Sequence, residues 1–405
     1  MILSLTLLVF AGCGNKEKSQ NDDIKQAQKQ DLPIDTALQS RVKKFAEAPR
    51  CQGKFGVYVY DLTADKPVYA YKERDDQPSA SCMKLLSGVA GLHLLGTNYK
   101  YVTSLYTKGN LQGDNLHGDI AFKGGLDPQL KEQDLSIFAK QLHNKGIRKF
   151  DGKLYVDLVL KDPVASEPHW YPWDLSFSSY GVLYKGADRL TKYLKMALRN
   201  NGIQFKDSQV VLAGVPKGSR CIYRYYRSID MVIERMWKNS SNTQATSLLF
   251  TIGNKSNPKA EPTKAGVNYM RYFLKKKIGV KDTNLMIHDG CGLCTHNHLS
   301  PYALVEILKY GYEHPSIYKQ LRKNLAIAGV DGTLRKYWNP AIKGKVRGKT
   351  GTLSHPYGIS SLAGYCDAPN GHVIAFAIMD SEMSVLDAHV LQRKLMETLT
   401  KEKKK

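Results

Sequence analysis

Ser81-Cys82-Met83-Lys84 is the stretch that most restricts what this chain can fold into. A serine and a lysine three positions apart share a face only when the backbone between them is helical. Pro78 and Ser79, just upstream, read as a helix start. Met83, Leu85, Leu86, Val89 and Ala90 supply an apolar side, so the pattern predicts a buried helix that begins near Ser81. In the first turn of a helix the backbone N–H groups are unpaired and the dipole favours negative charge. There Ser81 can serve as an acylation nucleophile if an unprotonated Lys84 takes its proton. Alone, Ser-x-x-Lys is a weak signal, and the plain alternative is a surface lysine one turn from a capping serine.

Two further stretches add weight. Residues 238–242 (KNSSN) contain Ser240-x-Asn242, and Lys349-Thr350-Gly351-Thr352 ends a basic, strand-like run. Ser-x-x-Lys, Ser-x-Asn and Lys-Thr-Gly, in that chain order, are the three elements of serine β-lactamases and penicillin-binding proteins. With the flanking stretches, the chain resembles the D-alanyl-D-alanine carboxypeptidase/endopeptidases among the class C low-molecular-mass penicillin-binding proteins, the peptidase S13 family. Residues 122–130 (FKGGLDPQL) resemble that family's G-G-G-D-P-x-L stretch, and 289–294 (DGCGLC) its D-G-S-G-L-S, with cysteine at both serine places. Residues 328–334 (AGVDGTL), 349–353 (KTGTL) and 362–365 (LAGY) match three more of its motifs. The likeness runs from about residue 35 to the C-terminal helix.

The resemblance implies an α/β (α+β) transpeptidase-like fold, with a five-stranded antiparallel sheet flanked by helices and an inserted subdomain of mixed strands and helices. The expected boundaries are residues 32–96 and 228–400 for the catalytic domain, 97–227 for the insertion and 401–405 for a basic tail. The same resemblance implies the roles. Ser81 is the nucleophile and Lys84 its base. Ser240 relays a proton to the leaving amine, and Asn242 holds the substrate peptide and Lys84. The Lys84 pKa must be lowered by burial or by a nearby cation, for which Lys349 is the candidate, and Lys349 with Thr350 and Thr352 binds the terminal carboxylate. Gly351 lets the strand backbone come close, and the N–H groups of Ser81 and Thr352 form the oxyanion hole. Asp127 is expected to face the cleft and meet the amine end of a substrate side chain; its plain alternative is a turn aspartate before Pro128. Cys82 stands where threonine is usual, as a thiol open to alkylation beside the site.

Along the chain, Phe55, Val57 and Val59 alternate in a half-buried strand, and residues 68–71 pair back on it. Helices are expected over 134–144 and 187–200, each ending in a Gly-Ile step, and the last three strands over 345–352, 360–365 and 372–379. Residues 386–399 form a closing helix.

Residues 1–12 are apolar but too short to span a bilayer, and they read as a signal peptide ending in Ala11-Gly12-Cys13. Small residues before a cysteine resemble the bacterial lipoprotein box, although Phe10 stands where leucine is preferred. Cys13 is then lipidated, and residues 13–31, polar and free of aromatics, form a tether. The alternative is a plain secretory signal cut near the same place. A net charge of +22 raises a nucleic-acid reading, which the export signal opposes; contact with anionic lipid or wall polymer suits the charge better. Of seven cysteines, six remain if Cys13 carries lipid, and their spacing sets no disulfide framework. His288, Cys291, Cys294, His296 and His298 have a zinc-like composition. Their overlay on D-G-S-G-L-S favours a structural role, so no metal or cofactor is expected, and a Cys291–Cys294 disulfide stays open.

The expectation is an exported, lipid-anchored serine D-Ala-D-Ala carboxypeptidase, facing periplasm or cell wall, with DD-endopeptidase activity as a second outcome. It acts on peptidoglycan stem peptides through an acyl-enzyme at Ser81 and is acylated by β-lactams. The rivals are a serine β-lactamase, which must deacylate fast, and a catalytically idle wall-binding lipoprotein.

Overall fold

The alternation at Phe55, Val57 and Val59 does mark a strand, Lys54–Asp61. It lies fifth in an antiparallel sheet ordered Ala326–Ile327, Val346–Leu353, Ile359–Asp367, Val373–Ser381, Lys54–Asp61, Lys66–Tyr71. Five strands are expected from the sequence; the sixth, Ala326–Ile327, is a two-residue edge strand, too short to leave a periodic pattern. The computed structural model describes residues 32–49, 53–175, 179–337, 339–354 and 358–402. The expected signal stretch, Cys13 and the tether lie outside these, as do Cys51 and residues 403–405.

Both faces of this sheet are covered. Val57, Val59, Phe376 and Ile378 share a core with Leu38, Val42, Leu395 and Leu399 of helices Thr36–Ala46 and Val385–Thr400. Tyr58, Tyr60, Ala377 and Met379 join the core of helices Met83–Leu95 and Pro301–Glu313. The half-buried expectation for Lys54–Asp61 is therefore corrected: every residue after Lys54 is buried, because a central strand between two helical layers has no wet face.

Residues 100–228 build a second, mixed sheet, ordered Val210–Val211, Leu154–Leu158, Asn115–Gly124, Lys100–Gln112, Arg220–Ser228. The pairings on either side of Leu154–Leu158 are parallel and the rest of that order antiparallel. Its helices, Ser136–Asn144 and Ala187–Asn200, end alike. Ile147 N–H donates to Leu142 O and Ile203 N–H to Leu198 O, each at 3.1 Å, past a glycine with positive φ. That is one Schellman cap used twice, the physical content of the repeated Gly-Ile step. Leu105, Phe122 and Phe138 of this region share one core with Trp237 and Leu248, and residues from Ile34 on form one compact unit.

Candidate active site

Ser81 lies in a 3-10 turn, Ala80–Cys82, that runs into the helix Met83–Leu95. Three residues per turn bring positions i and i+3 into register, and Lys84 Nζ lies 2.7 Å from Ser81 Oγ. The helix is buried from Met83 through Leu92, which suits its nearly all-apolar sequence. Lys84 is fully buried, while Ser81 is partly open. Ala80, just before Ser81, has φ +43, a conformation an alanine rarely adopts, and the packing around it must hold it there.

Lys84 Nζ also contacts Asn242 Oδ1 at 2.8 Å and Cys291 O at 2.5 Å. Three acceptors saturate an ammonium. Once a proton leaves, two N–H bonds satisfy Asn242 and Cys291, and the lone pair is left for the Ser81 hydroxyl. Burial holds the Lys84 pKa below the ordinary lysine value, against the pull of Cys291 and Asp289. Asn242 opens the helix Asn242–Ser256, and Ser240 precedes it at φ +58.

Lys349 is on the strand Val346–Leu353, also fully buried. Its Nζ donates to Ser240 Oγ at 2.8 Å and to Thr350 O at 2.6 Å. Burial, and then repulsion from Lys84, bring its pKa down to about 7. The expectation that Lys349 lowers the Lys84 pKa is therefore corrected: burial is what lowers Lys84, and the charge repulsion between the two acts on Lys349. Thr350 Oγ1 donates to Thr333 Oγ1 at 2.8 Å, and Thr352 is exposed at the strand end. A Cβ at Gly351 would sit 2.3 Å from Ser361 Oγ and 2.9 Å from Ser79 O, so only glycine lets this strand lie against the Ser81 turn.

The third wall is the loop from His288 to His298. Asp289, 2% exposed, organises it: Oδ1 accepts from the N–H groups of Cys291 and Gly292, and Oδ2 from Cys294 N–H and Trp170 Nε1. These bonds aim Cys291 O at Lys84. Ser87 Oγ donates to Gly290 O at 2.8 Å and Ser79 N–H to Asn297 O at 2.9 Å, so the loop grips the chain on both sides of Ser81. Gly292, at φ +80, passes so close to Ala80 O that a Cβ would be 1.8 Å from it.

A sequence model of the D-Ala-D-Ala carboxypeptidase 3 (S13) family matches residues 38–181 and 180–402. The chain belongs to this family. It is a serine-type D-Ala-D-Ala carboxypeptidase, a hydrolase of the penicillin-binding class. A D-alanyl-D-alanine carboxypeptidase DacB from Haemophilus influenzae is 22% identical over 411 residues, covering 79% of this chain and 84% of the relative. A D-alanyl-D-alanine carboxypeptidase from an Actinomadura species is 23% identical over 444 residues, covering 85% and 81%. Among solved structures, penicillin-binding protein 4 from Haemophilus influenzae superposes with a TM-score of 0.73 at 19% identity, over 89% of this chain and 98% of that one. A predatory peptidoglycan endopeptidase from Bdellovibrio bacteriovorus superposes with a TM-score of 0.58 at 17% identity, over 85% and 92%.

In this S13 carboxypeptidase, Ser81, Lys84, Ser240, Asn242 and Lys349 meet in one place, with Thr350, Gly351 and Thr352 on the bordering strand. Asp127 does not open to a cleft as expected. It is 1% exposed, and its carboxylate accepts from Arg227 Nε at 2.8 Å and from Gln129 N–H at 2.8 Å. It fixes the loop after strand Asn115–Gly124, and that loop meets the helix Asn242–Ser256 through Gln129 Nε2, which donates to Gln244 Oε1. Cys82 is likewise corrected. It is fully buried, its Sγ donates to Lys349 O at 3.1 Å, and burial raises its pKa. That thiol clips the Ser81 turn to the Lys-Thr-Gly strand and is closed to alkylation. Cys291 and Cys294 are both free thiols, so the disulfide reading fails. His298 leaves the zinc-like set, paired with Asp76 at 2.8 Å.

Sequence reasoning assigned no role to Asp289, Asn297 or Trp170. Asp289-Gly290 carries an Asx-turn signal, but nothing local shows that the resulting loop supplies a carbonyl to a lysine 207 positions away.

Proposed function

We propose that Ser81 is the acylated residue and that the remaining polar groups act in the roles the motifs suggest. Lys84, unprotonated, takes the Ser81 proton as Oγ attacks the carbonyl carbon of the penultimate D-Ala. The C–N bond then breaks, and Ser240, hydrogen-bonded to Lys349, passes a proton to the departing amine. Lys349, Thr350 and Thr352 receive the terminal carboxylate. Water releases the acyl group by the reverse path. The observation that carries this reading is the buried Lys84 Nζ, 2.7 Å from Ser81 Oγ with its other two contacts on Asn242 and Cys291.

An extended peptide has a place to lie. Ala326–Ile327 covers only Arg347 and Gly348 of the strand Val346–Leu353. Beyond them, among the described residues, no strand pairs with that outer edge, and a stem peptide can add to it as a strand. The same chemistry cuts a D-Ala–D-Ala bond or a D-Ala cross-link to a side-chain amine, so carboxypeptidase and endopeptidase action differ only in the leaving amine. β-Lactams acylate Ser81 and keep their leaving group tethered, which makes the adduct persist.

The test is intact mass after penicillin, together with product analysis on a pentapeptide and a cross-linked dimer. A lasting one-to-one adduct with release of D-Ala supports the reading. Rapid drug hydrolysis with a transient adduct would replace it with a β-lactamase. No adduct in folded protein would leave a wall-binding protein.

We also propose export and anchoring through lipid on Cys13. The apolar stretch before Ala11-Gly12-Cys13 supports this, and among the described residues no helix is long and apolar enough to cross a membrane. Cys13→Ser is expected to move the protein from the membrane to the soluble fraction. Retention in the membrane fraction would reject the anchor.

A further inference from the structure

His169, from the long segment that follows strand Leu154–Leu158, lies over the loop that presents Cys291 O to Lys84. Its ring is 5.0 Å from that of His288 and 4.8 Å from that of His296. The ligating atoms of His169, His288 and Cys294 all lie within 4.8 Å of one another, and Cys294 Sγ is 3.9 Å from His296 Nδ1. We propose that His169, His288 and Cys294, with His296 as fourth donor, form a site for a borderline transition-metal ion of the zinc(II) class.

The chemistry of the donors supports this over a simple aromatic cluster. Two or three imidazoles with one sulfur suit zinc, whose bonds of about 2.0–2.3 Å at tetrahedral angles place neighbouring donors roughly 3.3–3.8 Å apart. Closing from 4.8 Å takes a movement of about 1 Å, within reach of side-chain rotation at the exposed His169. Among the described residues neither the His169 nor the His288 ring has a hydrogen-bond partner. By contrast, His298 and His372 are each held by an aspartate. Neutral imidazole is the form that ligates. On binding, Cys294 gives its thiol proton to solvent and the thiolate takes the metal.

The frame around the donors is already built. Trp170 Nε1 donates to Asp289 Oδ2 at 2.8 Å, one residue along from both His169 and His288. The same carboxylate oxygen accepts from Cys294 N–H. A metal here would fasten residues 168–170 to the loop behind Lys84 without touching Ser81. The zinc-like set suggested by sequence contained the wrong partners: His298 is paired with Asp76, Cys291 is not among the clustered donors, and His169 is 119 positions from His288.

Cobalt(II) titration of the reduced full chain, followed by zinc displacement, tests the proposal independently of the acylation chemistry. One equivalent is expected to bind tetrahedrally, with a thiolate-to-cobalt absorption band. Ser81→Ala should leave binding unchanged. Cys294→Ser should remove the band. His169→Ala, at an exposed position that leaves folding intact, should weaken binding by about 100-fold or more. No thiolate band in the parent chain, a band that survives Cys294→Ser, or unchanged affinity in His169→Ala would each overturn the site.

Discussion

Ser81→Ala is expected to abolish the penicillin adduct and to lower D-Ala release by roughly 10⁴–10⁶-fold, the scale seen when a serine nucleophile is removed from a preorganised site. The change should leave the fold intact. Ser81 Oγ contacts Lys84 Nζ, and losing that one hydrogen bond costs about 1 kcal/mol. The surrounding frame does not depend on the hydroxyl: Cys82 still bonds Lys349 O, and Asn297 O still accepts from Ser79 N–H. Intact-mass spectrometry with thermal melting of the same sample separates lost chemistry from lost structure. A covalent adduct that persists in Ser81→Ala would place the nucleophile elsewhere and end the assignment.

Lys84→Arg is expected to slow acylation by roughly 10²–10⁴-fold, because a guanidinium keeps the charge but cannot act as a base near neutral pH. The parent enzyme should show a bell-shaped profile of kcat/KM. On the acid side the rate falls as pH falls through the lowered Lys84 pKa, since a protonated Lys84 cannot accept the serine proton. On the alkaline side, Lys349 in the free enzyme loses its charge above about 7 and with it the carboxylate clamp. A bound carboxylate holds the proton on Lys349, so kcat should stay high at pH values where kcat/KM already falls. A substrate whose terminal carboxylate is amidated should lose the alkaline limb and keep the acid one. A profile with no acid limb would show that Lys84 is not the base.

The three motifs were legible because each states its own local geometry. Ser81 and Lys84 are one turn apart, Asn242 begins a helix, and Gly351 sits where a strand must approach another segment. Periodicity likewise exposed the long strands, and the repeated Gly-Ile step was a real helix cap. It could not show the two-residue strand Ala326–Ile327, nor that Lys54–Asp61 is covered on both faces, because pattern reads one segment and burial depends on what packs over it. Asp127 illustrates the same limit. Its motif places it near the cleft, but Arg227, 100 positions on, takes its carboxylate.

By itself, the sequence determined the family, the order of the three motifs and the helical step that joins Ser81 to Lys84. Those are properties of short segments, carried by i, i+3 spacing and by the steric demands of glycine. Only the tertiary structure decided how the lysines are tuned, that Cys82 is a buried clip, and that Asp289 shapes the loop facing Lys84. It also decided that His169 joins His288 and Cys294. Desolvation, charge repulsion and donor convergence depend on distances between residues far apart in the chain, and those distances exist only once the chain has folded.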